Sequence, residues 1–398
     1  MIRRLAILGA LYVAQGLPFG FFTQALPVRM RESGMSLEAV GLASLLAAPW
    51  ALKWSFAPLV DRFGSRRAWI VPLQLAAAST LVLLSFAEPE RAWPFVLATV
   101  LLTNALSAAQ DVATDGLAVD LLAPHERGPG NAVQVAGYRA GMIVGGGLLL
   151  VVLAELGWAG ALRLLALGTL LTTLPLLALR EPPRTRAPSV ALGAVLDAAR
   201  RPGAARWLVV LVTIKLGDAI ATAMLRPMLV DQGRDAAAVG VLLGHLGFGA
   251  GLAGALAGGL LVGRLERGRA LVLFTLLQTI GLAGYWLAAE DQALVPHAIV
   301  LEHFVGGMTT AALFTCMMDA CRSELAATDY TLQASLVVVA TGVGASVSGV
   351  IAGALGYAGT FALAAALSLA AALLVETLRR SRSFPLALAA PPREEVHA

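Results

Sequence analysis

The sequence predicts an all-α membrane protein with twelve transmembrane helices in two pseudo-symmetric bundles of six. The prediction rests on composition, on the spacing of apolar stretches and on the placement of basic residues. The 398 residues are 58% hydrophobic and 14% charged, whereas soluble domains carry about 25% charged residues. A transmembrane helix needs roughly 20 mainly apolar residues, so a chain of this length has room for about twelve.

Turn residues and charges separate the apolar stretches and place the helices. The first apolar run continues to about Val28 without a small-residue cleavage site, so we expect an uncleaved first span rather than a signal peptide. The predicted spans are 5–28, 36–59, 68–87, 93–121, 130–154, 158–179, 207–230, 236–262, 270–289, 293–318, 329–354 and 358–378.

These spans divide the chain into two halves joined by a proline-rich segment. We expect an N-terminal bundle over 1–180, a cytoplasmic linker over 181–206, a C-terminal bundle over 207–380 and a disordered tail over 381–398. Within the linker, residues 190–201 fit an interfacial amphipathic helix.

Basic residues predict the orientation of the chain. Twenty arginines fall in the loops and tails that an even number of spans assigns to the cytoplasm, and four fall on the other side. Since cytoplasmic loops collect basic residues, both termini are predicted to be cytoplasmic. The same loops explain the net charge of +4, so the charge does not indicate a nucleic-acid partner. Cys316 and Cys321 share one apolar segment and are predicted to be reduced.

The loop between predicted spans two and three reads Ala57-Pro-Leu-Val-Asp61-Arg62-Phe-Gly64-Ser-Arg66-Arg67. An acid beside a helix end can form a charge-assisted lock with nearby guanidinium groups. A degenerate copy, which contains Arg264, lies between spans eight and nine, and Gly263 follows Asp61 by 202 positions. The first copy resembles the loop signature of the major facilitators, which implies a gating role. A basic loop that only enforces orientation is the alternative for both copies.

Span four carries several acids. Asp111 and Asp115 are four residues apart and therefore share a helix face. Asp111 and Arg139 lie at similar depths in consecutive spans, so we expect them to pair, either at a binding or coupling site or as a structural ion pair. Asp115 and Asp120 lie nearer the cytoplasmic face and are predicted to serve a gate or a helix end.

Lys53 and Lys215 are the only lysines among 29 basic residues, and both fall inside predicted spans. A desolvated lysine can lose its proton, whereas arginine effectively cannot. A functional role in a transport cavity is therefore one interpretation. The other is neutralisation of a neighbouring charge, which for Lys215 is Asp218 at i+3.

Glu302, in predicted span ten, is the preferred candidate for a proton-carrying acid, because charged groups inside a span face a cavity or a partner. His303 beside it is expected to point elsewhere on the helix. Neutral or cationic side chains that suit a polar solute are Gln15, Gln24, Gln134 and Arg226. Glycine clusters at 145–147, 247–258 and 342–349 are interpreted as close helix packing.

Several stretches together resemble one branch of the major facilitators, the AmpG-like permeases, which include muropeptide permeases, acetyl-CoA transporters and siderophore importers of the RhtX/FptX type. The stretches are Gln15-Gly-Leu-Pro18, Pro49-Trp50-Ala-Leu-Lys53, Gln110-Asp111-Val-Ala-Thr-Asp115, Gly137-Tyr138-Arg139 and Lys215-Leu-Gly217-Asp218.

The resemblance implies the major facilitator fold, alternating access and proton-coupled import of a bulky polar solute across a bacterial inner membrane. A chain that stops after span twelve favours the shorter siderophore importers, with an anhydro-muropeptide as the alternative solute. Further alternatives are a sensor that binds without transporting and an exchanger of acyl-CoA-like anions.

The sequence shows no metal-ligand spacing, phosphate-binding loop or nucleophile triad in a credible context. We therefore predict that the protein is not an enzyme and needs no cofactor or metal. The expected partners are a small-molecule substrate, protons and the lipid bilayer, and the expected state is a monomer.

Overall fold

The computed structural model describes residues 1–35, 43–181, 203–234 and 236–381. Every regular element in these ranges is helical, which confirms the all-α prediction. The predicted interfacial helix at 190–201 and the predicted tail beyond Ser381 lie outside the described residues.

Most of the helices are long enough to cross a bilayer, and three π-helical turns interrupt them. The π-helical turns are Phe21–Ala25, Val144–Leu148 and Gly240–Gly247. The α-helices are α1 Ile2–Gly20, α2 Leu26–Glu32, α3 Ala48–Leu52, α4 Ala57–Arg62, α5 Arg66–Leu84, α6 Pro89–Leu121, α7 Arg127–Ile143, α8 Leu149–Leu177, α9 Ala204–Asp231, α10 Ala236–Val239, α11 Phe248–Val262, α12 Arg267–Glu290, α13 Val295–Asp319 and α14 Ala326–Arg380.

Among the described residues, nine helical stretches are long and apolar enough to cross a membrane. Two of them are 54 and 58 residues long, or about 80–90 Å at ~1.5 Å per residue, more than twice the ~30 Å bilayer core. Each contains one glycine with left-handed backbone, Gly157 at φ 68° and Gly356 at φ 67°. This backbone conformation is not helical, and a residue with a Cβ rarely adopts it. Each glycine therefore ends one helix and divides its stretch into two spans. The predicted breaks at 154–158 and 354–358 fall at these two turns.

The predicted second span differs from the structure. We expected one helix over 36–59, but residues 43–62 form four short pieces, of which α3 and α4 are α-helical and the other two are 3₁₀ turns. Pro49 and Pro58 lie in the first turns of α3 and α4. Proline lacks a backbone N–H and cannot continue a preceding helix, so it breaks the span. A hydropathy average over the span does not register this effect, and the sequence therefore predicted one continuous helix. The described part of this span is therefore a broken helix, and Lys53 lies on one of its 3₁₀ turns.

The chain forms two compact units. The first combines Met1–Leu122, Val133–Ala194 and Arg322–Thr331, and the second combines Ala123–Ala132, Val195–Cys321 and Leu332–Ala398. The start of α14 is thus grouped with the first unit, and the start of α7 with the second. The simple division at the linker remains a prediction from the sequence.

Each unit has its own apolar core. In the first unit, Phe21 and Phe22 pack with Leu81, Val96 and Leu162. The core of the second unit is formed by residues of α9, α12, α13 and α14, including Leu225, Leu282, Tyr285, Ile299 and Phe361.

Small residues allow close helix contact inside both units, as predicted. A Cβ at Gly145 would lie 1.9 Å from the carbonyl oxygen of Leu17, and one at Gly254 would lie 1.8 Å from that of Phe304. Gly147 differs, because no atom of the described residues outside its own helix lies within 4 Å of its Cβ position. The packing interpretation is therefore correct for part of each cluster.

Candidate functional site

The first unit contains a buried cluster of one lysine and two aspartates. Lys53 forms an ion pair with Asp111, and its Nζ lies 3.9 Å from Asp115 Oδ2. Lys53, Asp111 and Asp115 are only 4%, 7% and 1% exposed. The broken second span places Lys53 beside α6, where the two aspartates stand one turn apart. The pairing of Asp111 with Lys53 was not predicted, because the sequence suggested Arg139, which lies half-buried on α7.

Asp115 connects this cluster to other helices. Its Oδ1 accepts hydrogen bonds from the Tyr12 hydroxyl at 3.0 Å and from Gln134 Nε2 at 3.3 Å. Gln134 Oε1 in turn accepts from the Tyr330 hydroxyl at 3.3 Å. The sequence grouped Asp115 with the loop motif, but the structure places it with Lys53.

Two further glutamines place polar side chains along the first helix and the π-helical turn that follows it. Gln15, one turn from Tyr12, is fully buried, and within the described part of the chain neither of its amide atoms has a hydrogen-bond partner. Gln24 lies on the π-helical turn and donates to the carbonyl oxygen of Met142 at 3.4 Å. Gln15 is thus a buried donor and acceptor available to a polar group.

The second unit contains the other lysine. Lys215 forms the predicted i+3 ion pair with Asp218, and its Nζ lies 3.4 Å from Thr310 Oγ1. Glu302 and His303 lie near the Asp218 carboxylate. Arg226, two turns further along α9, is exposed.

Glu302 is 3% exposed and is surrounded by polar groups. Its Oε2 accepts a hydrogen bond from the Tyr285 hydroxyl at 2.9 Å and lies 3.1 Å from His303 Nδ1. The Tyr285 hydroxyl also contacts His303 Nδ1 at 3.0 Å. The expectation that His303 points elsewhere is therefore wrong: adjacent residues diverge on an ideal helix, but the long imidazole side chain folds back toward the carboxylate and Tyr285.

The loop motif forms a buried ion-pair network in the first unit. Arg66 is 1% exposed and donates from Nη2 to Asp61 at 2.8 Å and from Nε to Asp120 at 2.9 Å. A Cβ at Gly116 would lie 2.7 Å from the guanidinium carbon of Arg66 and 2.9 Å from the Cβ of Ala327, so a larger residue here would displace one of these groups.

Asp61 also caps the start of α14. Its carboxylate accepts from the backbone N–H groups of Ala327 and Thr328 at 3.1 and 2.7 Å and from the Thr328 hydroxyl at 2.6 Å. The first N–H groups of a helix lack partners within the helix and favour a negative charge. Asp61 therefore binds the segment Arg322–Thr331 through the amide groups at the start of α14.

The remaining residues of the motif shape the loop. Gly64 has φ +65°, and the side chain of Ser65 caps α5 by accepting from the Ala68 N–H. The Glu181 carboxylate accepts from the N–H groups of both Arg66 and Arg67. Arg67 also donates to the Leu177 carbonyl oxygen at 3.0 Å, and Arg62 is half-buried.

The degenerate copy of the motif forms a related network in the second unit, through a different arginine. Arg267 donates to Asp319 Oδ2 at 2.7 Å, and Arg127 donates to Asp319 Oδ1 at 2.7 Å. Arg264, the residue that the sequence proposed, is exposed. Asp319 follows Asp120 by about half the chain, a spacing from which its role could have been predicted.

Among the described residues, no group of three or more His, Cys, Asp or Glu side chains is placed to hold a metal ion. The two polar clusters instead place a lysine and several carboxylates inside apolar helices. Such groups can bind a polar solute and exchange a proton.

A model of the Major Facilitator Superfamily matches residues 8–340. The anhydromuropeptide permease of Escherichia coli strain K12 is 34% identical over 351 residues, which are 84% of this chain and 72% of that protein. An uncharacterized protein of Haemophilus influenzae is 29% identical over 367 residues, 86% of each chain.

Solved structures resemble the whole chain. The Escherichia coli fucose:proton symporter has a TM-score of 0.75 at 14% identity and covers 94% of this chain and 98% of its own. A human organic anion transporter has a TM-score of 0.72 at 18% identity, with coverages of 94% and 99%. At such low identity these likenesses show the fold alone.

Proposed function

Because the chain belongs to the major facilitator superfamily of membrane transporters, with the fold that the sequence resemblance implied, we propose that it is a proton-coupled importer of the bacterial inner membrane with both termini in the cytoplasm. Its proposed solute is an anhydromuropeptide or a closely related polar fragment of the cell wall. The observation that carries this proposal is the buried cluster of Lys53, Asp111 and Asp115.

The cluster offers a way to couple a proton to a solute. Lys53 is neutralised by Asp111, which makes its burial tolerable. If a proton neutralises Asp111, the ammonium group keeps only the more distant carboxylate of Asp115, and a carboxylate of the peptide part of a muropeptide is a suitable second partner. The amide groups of Gln15 and Gln134 are complementary to the amides of such a solute.

Glu302 supplies a second proton site in this proposal. It shares hydrogen bonds with Tyr285 and His303 and lies beside Asp218, which neutralises Lys215. A proton on Glu302 changes the set of charges around Lys215 in the same manner as a proton on Asp111 does around Lys53. Both lysines are thus proposed to lose a proton or change their anionic partner during transport. This corresponds to the first of the two interpretations of their placement, a functional role in a transport cavity.

The proposed transport cycle is alternating access about a site near the middle of the membrane. Asp61 and Arg66 act as the gate, because their bonds to the start of α14 and to Asp120 must be released and remade in each cycle. Arg267 and Asp319 are proposed to act in the same way in the second unit.

The choice of solute follows the relatives. The 34% identical permease is named for anhydromuropeptides and aligns with most of this chain, which favours the alternative that the sequence had placed second. The siderophore interpretation rested on the stop after span twelve and on the resemblance of the opening Gln15-Gly-Leu-Pro-Phe-Gly-Phe-Phe to siderophore importers. The relatives give it no support.

A retention assay in living cells tests the identity of the solute. The gene is expressed in a bacterium that lacks its own muropeptide permease, and the loss of labelled wall fragments to the medium is measured. We expect retention of the fragments with the wild-type chain and none with Asp111→Asn. Rescue of siderophore-dependent growth in an importer-deficient strain, without fragment retention, would instead support the siderophore reading.

Two alternatives of a different class make other predictions. A sensor would bind the solute saturably without accumulating it. An exchanger of acyl-CoA-like anions would require a counter-anion on the opposite side and would not respond to a proton gradient.

A further inference from the structure

Hydrogen bonds at Ala327, Thr328 and Tyr330 attach the segment Arg322–Thr331 to the rest of the first unit. Asp61 binds the N–H groups of Ala327 and Thr328. Two residues later, the hydroxyl of Tyr330 donates to Gln134 Oε1 on α7. Tyr330 is 1% exposed, so this second hold is made in the protein interior, where losing a hydrogen bond is unfavourable.

The second hold leads directly to the buried cluster. Gln134 uses its Nε2 to donate to Asp115 Oδ1 and its Oε1 to accept from Tyr330. A carboxylate only accepts and a phenol can donate, so the two neighbours fix the amide in one orientation. The groups that face Asp115 are Lys53, Asp111, Tyr12 and Gln134. A continuous path of polar contacts therefore joins Lys53 to the start of α14.

We propose that Gln134 and Tyr330 are positioning residues that transmit the charge state of Asp115 to the hold on the segment Arg322–Thr331. The inference rests on the proposed transport by alternating access and adds to it the element that links the cluster to the gate. Neither residue needs to touch the solute for this role.

The physical basis is the dual use of one amide group. While Asp115 is charged, it accepts from Gln134 and keeps Oε1 directed at Tyr330. When Asp115 gains a proton, its preference for the amide N–H group weakens, and the amide is free to turn. The hydrogen bond from the Tyr330 hydroxyl to Gln134 Oε1 is then lost, and the attachment of the segment at Tyr330 weakens. Neutralising Asp115 is thus predicted to loosen the start of α14.

A double-mutant cycle read by backbone hydrogen exchange tests this link. Wild type, Asp115→Asn, Tyr330→Phe and the double variant are compared in lipid nanodiscs without solute, and exchange is followed in peptides that cover residues 322–334. Loss of one ordinary hydrogen bond is expected to speed exchange of the Ala327 and Thr328 amides about fivefold in each single variant.

The proposal predicts that the double variant exchanges no faster than the faster single variant, because both changes break the same path. Multiplicative effects, about 25-fold in the double variant, would show independent holds and overturn the proposal. Unchanged exchange in Asp115→Asn would overturn it as well.

Two controls keep the outcome interpretable. Tyr12→Phe removes a hydrogen bond from the same Asp115 oxygen without touching Tyr330, and it is expected to leave Gln134 bound to both neighbours and the exchange of Ala327 and Thr328 within twofold of wild type. Peptides of α13, in the second unit, report whether a variant remains folded. If Tyr330→Phe disturbs α13, the cycle is repeated with Gln134→Asn, whose shorter side chain cannot reach both partners.

The cycle separates failure of this link from failure of the proposed function. No solute is present, so an error in its identity leaves the exchange result unchanged and appears only as absent uptake. If the link between Asp115 and Tyr330 does not exist, the effects of the two substitutions on exchange multiply, while the wild-type protein still transports the solute.

Discussion

Lys53 forms an ion pair with Asp111 at a depth where their side chains are only 5% and 10% exposed. A buried charge is tolerated in the folded protein when its partner is in place. Removing one partner lowers the stability of the fold by about 3–5 kcal/mol. Of the two basic residue types, lysine is the one that can lose its proton when buried. In the proposed function, this pair serves stability and also supplies a charge that changes during transport.

Breaking the pair is predicted to reduce stability more in single variants than in the double variant. Lys53→Met leaves Asp111 without its cation, and Asp111→Asn leaves Lys53 with only the more distant carboxylate of Asp115. We expect each single change to lower stability by about 3 kcal/mol and the double variant to recover at least half of this loss, with uptake absent in all three. Thermal unfolding in detergent measures the stabilities. Equal unfolding temperatures in the single and double variants would contradict the pairing.

Neutralising Glu302 is predicted to uncouple transport from protons. In Glu302→Gln the side chain keeps its size and its bond with Tyr285 but can no longer carry a proton. We expect exchange of labelled for unlabelled solute to persist while proton-driven accumulation falls at least tenfold. His303→Asn is the companion variant, since it removes the imidazole but leaves the carboxylate. If Glu302→Gln and Asp111→Asn both accumulate solute normally, the coupling assignment is wrong.

Removing the charge of Asp61 is predicted to release the start of α14. Asp61→Asn weakens three bonds to Ala327 and Thr328 and one to Arg66. A cysteine introduced by Ala326→Cys, with Cys316 and Cys321 changed to serine, should then react at least fivefold faster with a maleimide.

Asp120→Asn provides the matched control for this change, because it removes the other carboxylate that binds Arg66 and leaves the bonds from Asp61 to α14 in place. We expect its effect on labelling to be less than half as large. Equal acceleration in both variants would mean that Arg66, rather than the helix cap, holds the segment.

Two neighbouring glycines are predicted to respond in opposite ways to a methyl group. Gly145→Ala places a Cβ 1.9 Å from the Leu17 carbonyl oxygen, whereas Gly147→Ala meets no atom beyond its own helix. We expect Gly145→Ala to destabilise the protein by about 1–3 kcal/mol through overpacking. Gly147→Ala should be neutral or stabilising by up to about 1 kcal/mol, because alanine favours the helix. The two melting temperatures, measured in one detergent, decide the matter, and a similar loss in both would contradict close packing.

The sequence predicted most helix positions because a transmembrane helix needs a continuous run of apolar residues, and such a run is visible in the local composition. It also predicted the Lys215–Asp218 pair, since residues three apart on a helix are neighbours. The partner of Asp111 was missed because Lys53 lies 58 positions earlier, on a helix broken by two prolines. Tertiary contacts between distant segments leave no local pattern.

The second copy of the loop motif shows the same limit. The sequence proposed Arg264, which directly follows the glycine aligned with Asp61, but Arg267 makes the buried bond to Asp319. One turn of helix decides whether an arginine faces solvent or a carboxylate, and a degenerate motif does not fix that turn. Tyr12, Tyr285 and Tyr330 were missed for another reason, since a tyrosine in an apolar helix looks like core until its hydroxyl finds a partner.

The measurement that tests the account most directly is uptake of a labelled anhydromuropeptide into proteoliposomes that contain only this protein. With an inward proton gradient, we predict accumulation above the external concentration, its collapse on adding a protonophore, and none with Lys53→Met or Asp111→Asn. Saturable binding without accumulation, or accumulation that does not respond to the gradient, would contradict the claim that buried charge pairs couple protons to solute movement.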